Sequence, residues 1–148
     1  PDLFCSQTLG FFHNGNENKD FVSGTRYAKG GMRLGGSLVA SILSKLANKA
    51  FVLFTNFPMS DCTTGIKMMK KEVWQNTLLE SKPIGWAFAF ELAIKVFLKK
   101  YKIGEVPMKC VDRLFGGSST YKPLPWIKEY LKWFFWGIKN IRFKNEKK

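Results

Sequence analysis

The sequence predicts an α/β layered domain, and three observations carry that prediction. Stretches with helical spacing alternate with short apolar strand-like runs. The 148 residues are 45% apolar and 16% aromatic, enough for one packed core. No internal repeat or low-complexity linker divides the chain, and so apolar a composition excludes disorder as its main state.

From Pro1 to Phe12 the apolar residues Leu3, Phe4, Leu9, Phe11 and Phe12 are loosely helical, and the polar run 13–18 breaks them. Asp20 to Tyr27 reads as a short buried strand leading into a glycine bend at Gly30 and Gly31. Leu38 to Phe54 carries helical spacing, with Leu38, Ile42, Leu46 and Phe51 available for one face. Asp61 to Val73 joins a Thr-Thr-Gly turn to the basic residues Lys67, Lys70 and Lys71. Trp86 to Tyr101 predicts an amphipathic helix, with Phe90, Ala93, Ile94 and Phe97 on one side and Lys95, Lys99 and Lys100 on the other. Lys102 to Val111 follows as a strand.

The last segment, Pro123 to Phe143, places Ile127, Tyr130, Leu131, Phe134, Ile138 and Ile141 in one helical stripe flanked by Trp126, Trp133 and Trp136. Lys128, Lys132, Lys139 and Arg142 cluster to one side. Tryptophan beside lysine on a short amphipathic helix suits a membrane interface; a helix that caps the core and shows a solvated basic face is the structural alternative.

Lysine and arginine number 24 against 11 acidic residues, a formal charge of +13 that predicts an anionic partner: phosphate, nucleic acid or a lipid surface. The three cysteines stand far apart and the single histidine is isolated, so a zinc site or disulfide framework is not expected and a reducing compartment fits. No apolar run reaches the roughly 18 to 20 residues that cross a bilayer, and no signal-peptide pattern opens the chain. Pro1-Asp2 suits the first turn of a helix rather than the start of a protein, so an amino-terminal truncation is expected.

Four clusters carry groups that phosphate chemistry uses. Gly24-Thr25-Arg26-Tyr27 puts a guanidinium at a strand end, where open α/β sheets present ligands and two parallel bonds can hold a phosphate. Asp61 to Lys67 offers a carboxylate, two hydroxyls and a cation around a glycine turn; the structural alternative is a capping aspartate with a solvated lysine. Glu105-Val106-Pro107 runs toward Asp112-Arg113 and a glycine- and serine-rich loop, where Arg113 can meet a diphosphate and the glycines admit backbone amides. Glu91 stands on an otherwise apolar helix face, where a salt bridge and a catalytic role compete.

In order and spacing these clusters resemble glycosyltransferase family 2, most closely its dolichyl-phosphate mannose synthase branch. The matching stretches are VSGTRYAKGG (22–31), SKLAN (44–48), SDCTTGIKMMKKEV (60–73), GWAFAFEL (85–92) and YKIGEVPMKCVDRLFGGSS (101–119). The resemblance implies the acceptor-side, carboxy-terminal part of a GT-A fold over residues 1–122, followed by an amphipathic membrane-interface helix and basic tail over 123–148. It implies an enzyme that transfers a sugar from a nucleotide-diphosphate sugar to a polyprenyl phosphate, peripheral on the cytoplasmic face of a membrane.

By the same resemblance Arg26 and Ser44 bind the acceptor phosphate, and Asp61 acts at the sugar and acceptor end as the catalytic group. Arg113, Gly116 and Ser118 close over the donor diphosphate, while Lys67 and Glu91 support the site. Ala40 stands where the family carries a second acceptor arginine, so Arg33 or Lys45 would substitute; Ser119 replaces a loop lysine for which Lys122 is the nearest substitute. The family's nucleotide-binding half and its D-x-D motif would precede Pro1, as a missing or separate segment. Mg or Mn is therefore expected for the complete enzyme, with no metal ligand in this chain and no transfer by this chain alone. A nucleic acid is not an expected partner. The alternatives are a non-enzymatic basic module that binds anionic membrane or nucleic acid, and an inactive remnant of the glycosyltransferase.

Overall fold

In the computed structural model the chain is a mixed α/β domain, described for residues 18–35, 37–81, 87–111 and 123–145. The elements run β1 (Phe21–Thr25), β2 (Met32–Leu34), α1 (Leu38–Thr55), β3 (Lys67–Met69), α2 (Lys71–Gln75), α3 (Ala87–Leu98), β4 (Ile103–Pro107), β5 (Lys109–Val111) and α4 (Pro123–Asn145). The α/β alternation thus holds. The expected 102–111 strand divides into β4 and β5, which belong to different sheets, and the helix expected from Pro1 to Phe12 lies outside the described residues.

The main sheet has the order β3-β1-β4. β1 is its centre, buried at all five positions, parallel to β4 with Phe21 opposite Ile103 and antiparallel to β3 with Phe21 opposite Met69. A strand enclosed on both edges and both faces reads as continuous burial rather than alternation. β2 and β5 form a separate parallel ribbon. Met108 couples the two sheets: its N–H donates to Thr25 O (2.8 Å) and its carbonyl accepts from Met32 N (3.0 Å).

Ser37 caps α1 by accepting the Ala40 N–H, and Asn56 ends the helix in the left-handed conformation that asparagine tolerates. Phe51 is the hub of the core. Its ring lies 5.4 Å from Phe57, 4.9 Å from Phe90 and 5.6 Å from Phe134, so one side chain ties α1 to α3, α4 and the following loop. The face expected for α1 is corrected here: Phe51 is buried, but Leu38, Ile42 and Leu46 are exposed. Residues four apart share a face, and the inward face holds Ser44, Asn48, Phe51 and Thr55 instead. The helix is also more apolar along its length than expected. As one continuous 18-residue helix, α1 is long and apolar enough to cross a bilayer, because its scattered polar residues do not offset its aliphatic ones.

α3 is buried almost all round. Glu91 has no exposed surface and accepts hydrogen bonds from Glu80 N (2.7 Å) and Ser81 N (2.8 Å), with Lys95 Nζ at 2.7 Å. Lys95, expected on a solvated face, is instead folded inward to Glu80, Glu91 and the Leu78 carbonyl. Burial pushes the Glu91 carboxyl up, but Lys95 and the amides of 80 and 81 hold it below its ordinary value. Glu91 is therefore a structural anchor for the 78–81 segment.

The stripe expected on α4 is divided. Trp133 and Ile141 are buried, Tyr130, Phe134 and Ile138 pack on the core, and Ile127 and Leu131 are exposed. α4 reaches α1 and α3 so closely at Gly137 that a Cβ there would stand 2.9 Å from the Phe51 ring and 2.8 Å from Ile94 Cδ1. Phe51 and Ile94 are fixed by their other neighbours and cannot yield cheaply. Gly137→Val should destabilise the domain by about 2 kcal/mol or more, read as a lower denaturant midpoint at unchanged slope.

Candidate functional site

The carboxyl end of β1 turns sharply after Thr25, whose Oγ1 accepts the N–H groups of Tyr27 (3.2 Å) and Ala28 (3.3 Å). Gly31 permits that turn, since a Cβ on it would lie 2.7 Å from the Thr25 carbonyl oxygen. The turn aims Arg26 at the loop that follows α1. There Arg26 Nε donates to Asp61 Oδ2 at 2.7 Å and Nη2 donates to Oδ1 at 3.0 Å, a bidentate pair in which Asp61 has no exposed surface and Arg26 little.

Asp61 is heavily committed. Besides the guanidinium it accepts Arg26 N (3.2 Å), Thr63 N (3.2 Å) and Thr63 Oγ1 (3.0 Å). Burial pushes its carboxyl up, but Arg26 and these donors outweigh burial and hold it below the usual aspartate value. Thr63 spends its proton on Asp61 and its Oγ1 accepts Arg26 Nη2 (3.0 Å); Ser44 Oγ lies 3.3 Å from Thr63 Oγ1, and Tyr27 OH donates to Ser44 Oγ (2.9 Å). A hydroxyl relay thus runs from Tyr27 through Ser44 and Thr63 to Asp61.

Asn48 locks α1 to this loop. Its Nδ2 donates to Ser44 O (2.8 Å) and Thr63 Oγ1 (3.3 Å), and its Oδ1 accepts Cys62 N (2.7 Å). Glu105 does the same from β4: its Oε2 accepts both the N–H (2.7 Å) and the hydroxyl (2.9 Å) of Ser60, whose oxygen also lies 2.7 Å from Thr25 Oγ1. The glutamate of the E-V-P strand therefore fixes the residue beside Asp61.

Of the residues singled out in sequence, Arg26, Ser44 and Asp61 meet in one cluster. Lys67 lies beneath it on β3, donating to Ser23 Oγ at 3.0 Å with its ammonium 5.5 Å from the Phe21 ring centre. It is not the solvated lysine of the structural alternative: burial lowers its pKa to about 8. Glu91 belongs to the α3 anchor instead. Arg113, Gly116, Ser118, Ser119 and Lys122 lie outside the described residues. Sequence reading missed Tyr27, Asn48, Thr63, Ser60 and Glu105 as site residues, although each lies within or next to a quoted motif.

A groove of about 510 Å³ opens beside the cluster. Tyr27 and Ser60 bound it toward the relay, Lys45 and Lys49 supply cations, and Leu53 and Phe57 make it apolar. No family model matches the chain. Among the described residues no three His, Cys, Asp or Glu side chains converge as a metal site would require. Asp61, the carboxylate closest to the expected chemistry, is saturated by Arg26 and Thr63. These residues do not fit a divalent cation, and no step is assigned through one.

Lys67 yields a test with a defined sign. Its folded pKa lies below its ordinary value of 10.5, so between pH about 8 and 10.5 the unfolded chain binds more protons and stability rises with pH. Lys67→Met should raise the melting temperature at pH 7 and abolish that rise, as thermal unfolding across this window would reveal.

Proposed function

We propose that this chain is the acceptor-side part of an inverting polyprenyl-phosphate glycosyltransferase with a GT-A fold. The observation that carries the reading is the bidentate pairing of the buried Asp61 carboxylate with Arg26. A sugar transferred to a hydroxyl needs a base whose pKa lies near the working pH. Asp61 is tuned the other way, toward a permanent carboxylate. A phosphate acceptor needs no base, because its oxygen is already an anion.

The step then balances without proton transfer. A phosphate oxygen of the acceptor attacks the anomeric carbon, the bond from that carbon to the diphosphate oxygen breaks, and the electron pair leaves on the nucleoside diphosphate. The products are the polyprenyl-phosphate sugar and the nucleoside diphosphate. When the acceptor phosphate binds, the Tyr27 hydroxyl turns from Ser44 to donate to it and the Arg26 guanidinium attracts it without leaving Asp61, while Lys45 and Lys49 in the groove lining add positive potential in place of the arginine absent at Ala40. Asp61 keeps Arg26 in place. By resemblance Arg113, Gly116 and Ser118 serve the donor diphosphate, and the complete enzyme takes Mg or Mn through ligands outside this chain.

The largely apolar groove, with Lys45 and Lys49 against the single carboxylate of Glu105, suits a phosphate that carries an isoprenoid tail. It also favours the acceptor reading over the nucleic-acid one, for which stacked exposed aromatics would be expected along the groove. Farnesyl phosphate should bind the 148-residue chain and farnesol should not. Arg26→Ala should weaken the phosphate ester by on the order of a hundredfold, measured by calorimetry. Equal binding of the alcohol, or an Arg26→Ala chain that binds the ester as before, would contradict the reading.

A further inference from the structure

α1 is amphipathic in the wrong direction for a helix in water. Ser44, Asn48 and Thr55 face the protein with Phe51, while Leu38, Val39, Ile42, Leu43, Leu46, Leu53 and Phe54 face out. Leu38 and Leu53 each keep 78% of their surface exposed. Surface helices of soluble domains put their aliphatic residues inward, and a contiguous apolar face of this size marks an interaction surface.

α4 packs beside α1. Phe51 meets Phe134 and Gly137, and one turn later the Phe54 carbonyl accepts from Arg142 Nε at 3.0 Å, so the two helices pass each other in the same sense. The exposed Ile127 and Leu131 of α4 therefore lie toward the same end of the domain as Leu38 and Ile42.

We propose that the outer face of α1 docks on an anionic lipid bilayer, with α1 lying in the interface plane. Charge selects this occupant. The chain carries +13, and Lys45 and Lys49 flank the apolar arc on the same helix, where their ammonium groups reach headgroup phosphates while the aliphatic side chains enter the acyl boundary. A second copy would bring another +13 against the same surface. Spanning is excluded by the inward face: Asn48 and Ser44 are bonded to the 61–63 loop and Phe51 is the core hub, so α1 cannot leave the domain.

This placement deepens the proposed function and rests on it in one respect. The groove lined by Lys45, Lys49 and Leu53 leads from the docked side of α1 to Tyr27, so a lipid phosphate held in the bilayer reaches the relay without leaving the headgroup layer. Docking itself requires neither donor nor acceptor, and its test is separate.

The 148-residue chain is sedimented with vesicles of phosphatidylcholine alone and of phosphatidylcholine with phosphatidylglycerol. Wild type should bind the anionic vesicles, and L38Q/I42Q/L46Q should lose on the order of a hundredfold in partition. Circular dichroism controls its fold; the single Ile42→Ser, a milder change, should still lose severalfold. Lys45→Gln with Lys49→Gln should weaken binding only to the anionic vesicles and flatten its salt dependence. Tyr27→Phe, which removes a relay hydroxyl and leaves the Arg26–Asp61 pair closed, should bind vesicles as wild type does while weakening farnesyl phosphate, which separates failure of the acceptor site from failure of docking. Wild-type partition retained by both aliphatic variants would overturn the proposal. So would a wild-type dimer that the triple variant dissociates and that ignores vesicles.

Discussion

A guanidinium and a carboxylate withdrawn from water persist only when the surrounding donors and acceptors are also satisfied, and the Arg26–Asp61 pair imposes that demand on three separate segments. Thr25 must turn the chain so that Arg26 points at Asp61. Thr63 and the Arg26 amide must fill the carboxylate's remaining lone pairs, and Asn48 must hold the loop against α1. Glu105 extends the demand into β4 through Ser60. Sheet, helix and loop are thereby fixed relative to one another at the strand end where an α/β domain presents its ligands.

The same network explains which parts of the site were legible from sequence. Local signals were sufficient to locate β1, α1 and α3, which are rich in apolar residues despite their polar interruptions, and the motif residues Arg26, Ser44 and Asp61 do converge. What sequence could not supply is the partner of each group. A lone arginine at a strand end reads as a free phosphate ligand, yet Arg26 is half of an ion pair whose other half lies 35 positions on. Lysine in a basic run reads as solvated, yet Lys67 alternates inward on a strand and is half-buried beside Ser23. Asn48 and Glu105 carry no isolated signature, since their importance lies in bonds to backbone amides that no side-chain pattern encodes.

Helix faces were the other weak point. Periodicity identifies which residues share a side but not which side is inside, and α1 shows the consequence. Its aliphatic stripe is as regular as that of a core helix, yet the polar stripe has the stronger claim on the interior because Asn48 bonds both Thr63 Oγ1 and the Cys62 N–H of the loop that carries Asp61. α4 presents the converse: tryptophans that suit an interface in sequence are drawn inward where Gly137 lets the helix approach Phe51 and Ile94. A burial preference is decided by what the rest of the fold requires, and here the buried ion pair requires polar side chains from α1.

The account stands or falls on the protonation state of Asp61, because an acceptor that is already an anion is inferred from a carboxylate that cannot act as a base. The most direct measurement is the carboxyl ¹³C resonance of Asp61 followed against pH, with and without farnesyl phosphate. The account predicts no titration from pH 8 down to the ordinary aspartate value of about 4, and a shift when the phosphate ester binds. A midpoint above that value, unmoved by the ester, would make Asp61 a proton acceptor and contradict it.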